Sequence, residues 1–166
     1  MAKYKTIIGR AETISFPAKM LQGVPAKTDT GAYLSAIHAT DIQEITKPNG
    51  KKIVKFNLLN DHSAVTTNRQ MQVSSYTKKI VENSFGHQQE RFVVKLKVTI
   101  AGKTFLTEFG LADRSKKAFP ILLGRTLINK RFIVDTDIAH IDQKELKVKL
   151  KDWLKKDDQN DSEEES

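Results

Sequence analysis

The stretch Ala26-Lys27-Thr28-Asp29-Thr30-Gly31-Ala32 decides how the rest of the chain is interpreted. It places a carboxylate, Asp29, two residues before Gly31, which has no side chain. Gly31 lets the backbone turn where a Cβ would clash, and its N–H can donate to the carboxylate. Thr30 can hydrogen-bond the backbone of a facing loop and hold the turn rigid. Because such tripeptides also occur in plain β-turns, this stretch needs support from elsewhere in the chain.

A carboxylate on a tight loop is what the chemistry of an aspartic protease requires. Two such carboxylates pressed together cannot both ionise, so they share one proton and activate water for attack on a peptide carbonyl. The sequence has one Asp-Thr-Gly, because the similar Asp135-Thr136-Asp137 lacks the glycine. The second carboxylate would come from a second chain, which predicts a two-fold homodimer that joins Asp29 to its symmetry mate.

A second motif, Phe119-Pro120-Ile121-Leu122-Leu123-Gly124-Arg125, supports this interpretation. In aspartic proteases an apolar segment ending in glycine lies behind the catalytic loop, where the glycine permits close backbone approach. We therefore assign Leu123 and Gly124 to the layer behind Asp29. We assign Arg125 a structural role, in support of the loop or of the dimer. The residues between the two motifs are enough for several strands and a flap.

The patterns between and beyond these motifs are mostly typical of strands. Alternating apolar and polar side chains mark half-buried strands, and Gly- and Pro-containing turns separate them. Strands are predicted over residues 53–59, 92–100, 104–109 and 132–134, with turns at 47–50 and 101–103 and about one helical turn within 125–130. Many short strands and little helix predict an all-β barrel or sandwich.

Three segments are less regular. Residues 60–91 are polar and too long for an ordinary loop, which favours a functional hairpin over a site. In residues 141–154, apolar residues alternate with lysines, and we predict a strand that continues into a short helix. Residues 155–166 contain no apolar side chain, so we predict a disordered acidic tail after a domain that spans residues 1–154.

Composition narrows the function classes. The 166 residues include no cysteine, which excludes a disulfide scaffold and cysteine-ligated zinc or iron–sulfur centres. No run approaches the roughly 18 apolar residues of a membrane-spanning helix. We see no secretory signal either, so we expect a cytoplasmic protein without membrane association.

The net charge of +8 is unevenly distributed. Residues 152–166 carry −5, and residues 1–151 therefore carry +13. Such a body attracts nucleic acid or acidic protein, or is simply a solvated basic surface. No aromatic residues are interleaved with the basic ones and no known nucleic-acid motif is present, which disfavours nucleic acid.

Taken together, the motifs resemble the bacterial RimB-like family of retropepsin-like aspartic proteases, whose members often carry the label ATP-dependent zinc protease. The resemblance covers roughly residues 7–136 and rests on several motifs in a fixed order. These are Ile8-Gly9-Arg10-Ala11-Glu12, residues 27–32, Ser35-Ala36-Ile37-His38-Ala39, residues 84–91 and 119–125, and Phe132-Ile133-Val134-Asp135. The resemblance implies a closed barrel with a flap hairpin and one short helix, and an aspartic endopeptidase acting as a homodimer.

The resemblance also implies roles for individual residues. Asp29 is the catalytic residue, and Thr30, Gly31 and Ala32 support its loop. The flap, drawn from about residues 66–92, carries the substrate-side residues Ser84, Gly86 and Arg91. Arg91 binds a substrate carboxylate or forms an ion pair at the edge of the site. Retropepsins have Asp after Gly-Arg where this chain has Thr126, which argues against the Arg–Asp pair of their dimers.

Neither half of the family's label is supported by the sequence. No GxxxxGK[ST] loop is present for ATP, and no pair of the four histidines has the His-Glu-x-x-His spacing of a zinc protease. We expect no metal and no cofactor. His38 and His87 are the remaining candidates for a ligand pair across the fold, although a hydrogen-bonded structural role is favoured.

The resemblance finally suggests a substrate. Family members are often associated with an ATP-grasp ligase that adds glutamates to a ribosomal-protein tail. A basic body would attract acidic or polyglutamylated peptides. Two alternatives stay open: a non-catalytic peptide-binding module on the same fold, and a basic nucleic-acid-binding β-barrel.

Overall fold

A computed structural model describes residues 5–65, 67–82 and 85–164. Its strands are β1 (Thr6–Phe16), β2 (Leu21–Thr28), β3 (Ser35–Thr46), β4 (Lys52–Leu58), β5 (Arg69–Val73), β6 (Tyr76–Glu82), β7 (Gln88–Ile100), β8 (Lys103–Ala112), β9 (Ile121–Leu123) and β10 (Phe132–Ala139). Its α-helices are α1 (Arg125–Ile128) and α2 (Gln143–Glu164), and a short 3-10 helix spans Pro17–Lys19.

Six strands close into a barrel. β1 pairs with β2, β2 runs parallel to β9, and β9 pairs antiparallel with β3. β3 runs parallel to β8, β8 pairs with β7, and β7 returns to β1 through the pair Ser15–Thr99. The predicted all-β, closed retropepsin-like barrel is therefore confirmed, and α1 is the predicted short helix.

The barrel interior is filled by the inward-facing members of alternating strand patterns. Fully buried side chains include Ile8, Ile14, Phe16, Ile37, Phe56, Val98, Phe109, Ile121 and Leu123. Each such side chain contributes about 1.5–3 kcal/mol by leaving water. The ends of β2 and β9 are therefore anchored in the core, and the loop that follows β2 starts from a fixed point.

The predicted flap hairpin is present as β6 and β7. These strands pair from Tyr76–Val94 to Glu82–Gln88. β7 begins at Gln88, whereas the sequence predicted a strand that starts at residue 92. The additional residues 88–91 are strand because they pair with β6. Pairing with β8 starts only at Val93–Gly110. The flap thus consists of β6 and the first residues of β7, which extend beyond the part of β7 that pairs within the barrel.

The C-terminal predictions need correction. Residues 143–164 form α2, where the sequence favoured a strand over the 146–150 region and a disordered tail from residue 155. Asp142 caps the helix, with its Oδ1 accepting from the Lys144 N–H at 2.9 Å. Leu146 is buried with Ala11 and Phe119, which fixes the helical face. No Pro or Gly follows Gly124, so nothing in the sequence ends the helix early.

Within the described ranges, no helix is both long enough and apolar enough to cross a membrane.

Candidate active site

The loop that joins β2 to β3 carries Asp29, and its backbone is held from behind. The Asp29 N–H donates to the Leu123 carbonyl at 2.9 Å, and the Ala32 N–H donates to the Asp29 carbonyl at 3.2 Å. The Gly31 N–H donates to Asp29 Oδ1 at 3.0 Å, which is the hydrogen bond that the motif predicts. The side chain is partly exposed. The loop therefore presents a rigid, accessible carboxylate.

The segment behind this loop approaches it at backbone distance. A Cβ on Gly124 would lie 2.7 Å from the Leu34 carbonyl carbon and 2.8 Å from the Tyr33 carbonyl oxygen. The Gly124 N–H donates to the hydroxyl of buried Ser35 at 3.0 Å. Arg125 donates from its backbone N–H to the Ala32 carbonyl at 2.9 Å, and from Nη1 to the Thr30 carbonyl at 3.0 Å. The residues that the sequence assigns to this layer lie directly behind the Asp29 loop.

A groove of about 560 Å³ runs between this loop and the flap. The loop side includes Ala32, Tyr33 and Leu34, and the flap side consists of residues 79–82 of β6 together with Arg91 of β7. Arg91 reaches the groove because β8 has a glycine beneath it: a Cβ on Gly110 would lie 2.7 Å from Arg91 Cδ.

The other two predicted flap residues are placed differently. Gly86 is exposed at the hairpin tip with φ of 78° and does not line the groove. Ser84 lies outside the described residues. Of the two described residues of this group, Arg91 lines the groove beside the Asp29 loop and Gly86 does not.

Sequence reasoning missed Arg114, which lines the same groove from the loop between β8 and β9. Its Nε donates to the Phe119 carbonyl at 3.0 Å. Burial and the neighbouring Arg91 lower the pKa of Arg114, whereas the nearby Asp29 carboxylate raises it. Burial also lowers the pKa of Arg91. Within the described ranges, neither guanidinium forms an ion pair with a carboxylate. The three basic residues within 114–117, just before the second motif, were the available signal.

Two histidines lie buried beneath this basic loop. His38 and His62 are 0% and 1% exposed, and their ring centroids are 5.1 Å apart. Burial lowers the pKa of both, and that of His62, which also faces His38, falls to about 4. Asp113 and Asp61 offset this only in part at His38. Both imidazoles are therefore neutral at pH 7.

The neutral pair predicts acid instability. Since the pKa of His62 is lower in the folded state than in the unfolded chain, its contribution is complete above about pH 6.5 and is lost as the pH falls towards 4. We expect His62 to remove about 3 kcal/mol of unfolding free energy over this interval. Guanidinium denaturation at pH 7 and pH 4.5 measures it. His62→Gln should flatten the pH dependence and His87→Gln, at an exposed position, should keep it; equal slopes in all three proteins would contradict the prediction.

The histidines do not form the ligand pair considered from the sequence. His38 lies beside His62, and its Nε2 and Nδ1 are hydrogen-bonded to the Asn60 carbonyl and the Arg114 N–H. This is the hydrogen-bonded structural role favoured for His38. No group of three or more His, Asp or Glu side chains in the described part of the chain is arranged to hold a metal ion.

The chain is similar to proteins of one family and one architecture. A family model described as "Retropepsin-like aspartic endopeptidase RimB" matches residues 7–145. A "Probable alpha-L-glutamate ligase" of Desulfotalea psychrophila is 33% identical over 131 residues, which are 79% of this chain and 28% of that protein. A protein of the same name from Shewanella pealeana is 27% identical over 135 residues, which are 81% of this chain and 29% of that protein. A solved structure of a Legionella pneumophila protein of unknown function matches with a TM-score of 0.64 and 25% identity, over 82% of this chain and 97% of its own. The chain thus spans less than a third of these curated relatives.

Proposed function

Because this chain belongs to the RimB-like family of retropepsin-like aspartic endopeptidases, we propose that it hydrolyses peptide bonds with water activated by Asp29 and the Asp29 of a second copy. The observation that carries the proposal is the Asp29 loop, which is hydrogen-bonded to β9 and faces a groove under the flap. Among the described residues, Gly31 alone donates to the carboxylate, so one oxygen stays open for water or a second carboxylate.

The reaction follows from sharing one proton between the two carboxylates. The ionised carboxylate takes a proton from water as the water oxygen attacks the peptide carbonyl carbon. The protonated carboxylate gives its proton to the carbonyl oxygen, which yields a gem-diol. The carboxylate that received the water proton then protonates the leaving nitrogen, the C–N bond breaks, and one hydroxyl proton returns to the dyad.

A homodimer is supported by the exposed side chains of the Asp29 loop and by an exposed apolar pair at the edge of the sheet. Tyr33 is 62% exposed, and Thr30 is exposed with a hydroxyl that makes no hydrogen bond within the described chain. Ile7 and Ile133 are paired in register on β1 and the edge strand β10, and are 54% and 53% exposed. An exposed apolar pair on an open sheet edge suits association with a second copy.

We propose that the substrates are acidic peptides, polyglutamate chains included. Four cations line the groove, Lys79, Arg91, Arg114 and Lys117, against two acidic residues, Glu82 and Asp113. Guanidinium groups pair with carboxylates through two parallel hydrogen bonds. The relatives named as glutamate ligases carry a region similar to this chain within a longer protein. A peptidase that acts on glutamate chains fits that association.

A non-catalytic module is the second candidate. The same relatives have a ligase name, and a region that binds glutamate chains without cutting them would serve a ligase. Such a module would keep the cationic groove and would not need the carboxylate of Asp29. The two candidates therefore make different predictions: a peptidase cleaves peptides only with Asp29 intact, whereas the binding module cleaves none.

Charge selectivity tests the substrate proposal. We expect wild-type protein to cleave glutamate-rich peptides faster than neutral ones, with the difference falling as salt rises. Arg91→Gln should lower kcat/KM on glutamate-rich peptides by about 10- to 100-fold, because it removes a charged hydrogen bond, and should change neutral peptides far less. Arg69→Gln, an exposed arginine on β5, is the matched control and should leave the ratio unchanged. Equal rates on both peptides at every salt concentration would refute acidic selectivity and leave the peptidase intact.

A further inference from the structure

The two buried imidazoles both bind the backbone of one residue, Arg114. The Arg114 N–H donates to His38 Nδ1 at 2.9 Å. The Arg114 carbonyl accepts from His62 Nε2 at 3.0 Å. The Lys117 N–H also donates to this carbonyl at 3.0 Å. Both polar groups of the Arg114 backbone are thus fixed, from β3 on one side and from the segment after β4 on the other.

The remaining hydrogen bonds fix the tautomers. His38 Nε2 lies 2.6 Å from the Asn60 carbonyl, which can only accept, so the proton is on Nε2 and Nδ1 is free to accept. His62 Nδ1 accepts from the Ala64 N–H at 3.1 Å, so the proton of His62 is on Nε2. In each ring one nitrogen is a donor and the other is an acceptor. One hydrogen bond of each ring is made with the Arg114 backbone.

The side chain of Arg114 is held in an unfavourable place. It lines the groove near Asp29 and Arg91, and burial together with Arg91 lowers its pKa. Two partly buried guanidinium groups repel each other unless an anion lies between them. A surface loop free to move would relax away from this arrangement. The two hydrogen bonds between the imidazoles and the Arg114 backbone oppose that relaxation.

We propose that His38 and His62 are positioning residues, which hold Arg114 by its backbone so that its guanidinium stays beside Arg91 and Asp29 as a fixed carboxylate-binding subsite. The identity of the bound group rests on the proposed function. The placement of Arg114 is independent of the proposed function, since this placement follows from the hydrogen bonds alone.

Matched amide substitutions separate this role from general support of the fold. The asparagine amide lies where Nδ1 lies, and the glutamine amide lies near Nε2. His38→Asn keeps the acceptor for Arg114 and loses Asn60, whereas His38→Gln does the reverse. His62→Gln keeps the donor to Arg114 and loses Ala64, whereas His62→Asn does the reverse. Each position therefore yields one variant that retains the Arg114 bond and one that breaks it.

We expect the two bond-breaking variants, His38→Gln and His62→Asn, to lower the kcat/KM ratio of glutamate-rich to neutral peptides at least about 10-fold below their bond-retaining partners. Melting temperatures within each pair should be similar, since each variant loses one buried hydrogen bond. The Arg114 Nε–Hε signal in ¹⁵N spectra should be sharp in wild type and in the bond-retaining variants, and weakened by solvent exchange in the bond-breaking ones.

Equal ratios and equal Nε–Hε signals within each pair would overturn the proposal and reduce the histidines to general structural support. If wild type cleaves no peptide, the proposed function fails on its own, and the Nε–Hε signals with the affinity for a fluorescent tetraglutamate peptide still decide this inference. If the histidine variants do not fold, Arg114→Lys replaces them, because it keeps the backbone bonds and removes the planar guanidinium. It should lose selectivity while its melting temperature falls only by the loss of the one hydrogen bond from Arg114 Nε to the Phe119 carbonyl, and unchanged selectivity would refute the subsite.

Discussion

Replacing Asp29 with asparagine is expected to abolish peptide cleavage, with kcat falling by about 10³-fold or more. The amide keeps the oxygen that accepts from the Gly31 N–H, so the loop should keep its shape, but it can neither take nor give the proton. Asp135→Asn is the matched control. Asp135 is exposed, and its Oδ1 accepts from the Asp137 N–H at 3.0 Å, the same local hydrogen bond. Cleavage of a peptide library between pH 4 and 8 measures both variants.

The same assay separates the alternatives. Equal cleavage by wild type and Asp29→Asn would indicate a contaminant or a different site. A folded dimer that cleaves nothing would favour the binding module. Mixing equal amounts of wild type and Asp29→Asn with free subunit exchange should give about one quarter of the activity of wild type at the same total protein concentration, since a dyad needs two intact copies. One half of that activity would show that each copy works alone.

Gly124→Ala is expected to destabilise the protein by about 3 kcal/mol and to reduce activity with it. The added Cβ would meet the Leu34 carbonyl carbon at 2.7 Å and backbone oxygens at 2.8 Å, and backbone cannot move aside as a side chain can. The backbone φ of Gly124 is −94°, so the cost is steric and not conformational. Guanidinium denaturation of the purified variant measures it.

Gly102→Ala is the control for this comparison. Gly102 lies in the β7–β8 turn with φ of 77° and has no atom within 4 Å of an added Cβ, so its cost is conformational alone, about 1 kcal/mol. If Gly124→Ala is as stable as Gly102→Ala, then an added Cβ at Gly124 does not lie within 3 Å of the backbone of the Asp29 loop.

The parts of the site that the sequence predicts are those where backbones meet. A close approach such as Gly124 against Leu34 requires a glycine, and the turn at Asp29 uses another, so both appear as motifs. Arg114 is different. It is held through its backbone by His38 and His62, which lie 76 and 52 residues away in the chain. Every residue type except proline has both of these backbone groups, so the contact places almost no constraint on residue 114 that a motif could reveal.

The C-terminal helix shows the same limit at the level of secondary structure. A strand would place Leu146 and Val148 on one face, and the alternation with lysines fits it. The structure buries Leu146 to 3% exposure and leaves Val148 59% exposed. Packing of Leu146 against Ala11 and Phe119 settles the choice, and the contact with Ala11 joins segments more than a hundred residues apart.

The two parts of β7, which differ in their strand partners, determine how the flap can move. From Val93 onward β7 is paired with β8 in the barrel, whereas residues 88–92 pair with β6 alone. A two-stranded ribbon bends more readily than a closed barrel, so the flap behaves as a short lever whose pivot lies at Arg91 and Phe92. The guanidinium that lines the groove therefore sits at the pivot and not at the tip. An anion that binds Arg91 therefore contacts the base of the flap. A small displacement of the strands there produces a larger displacement of the hairpin tip.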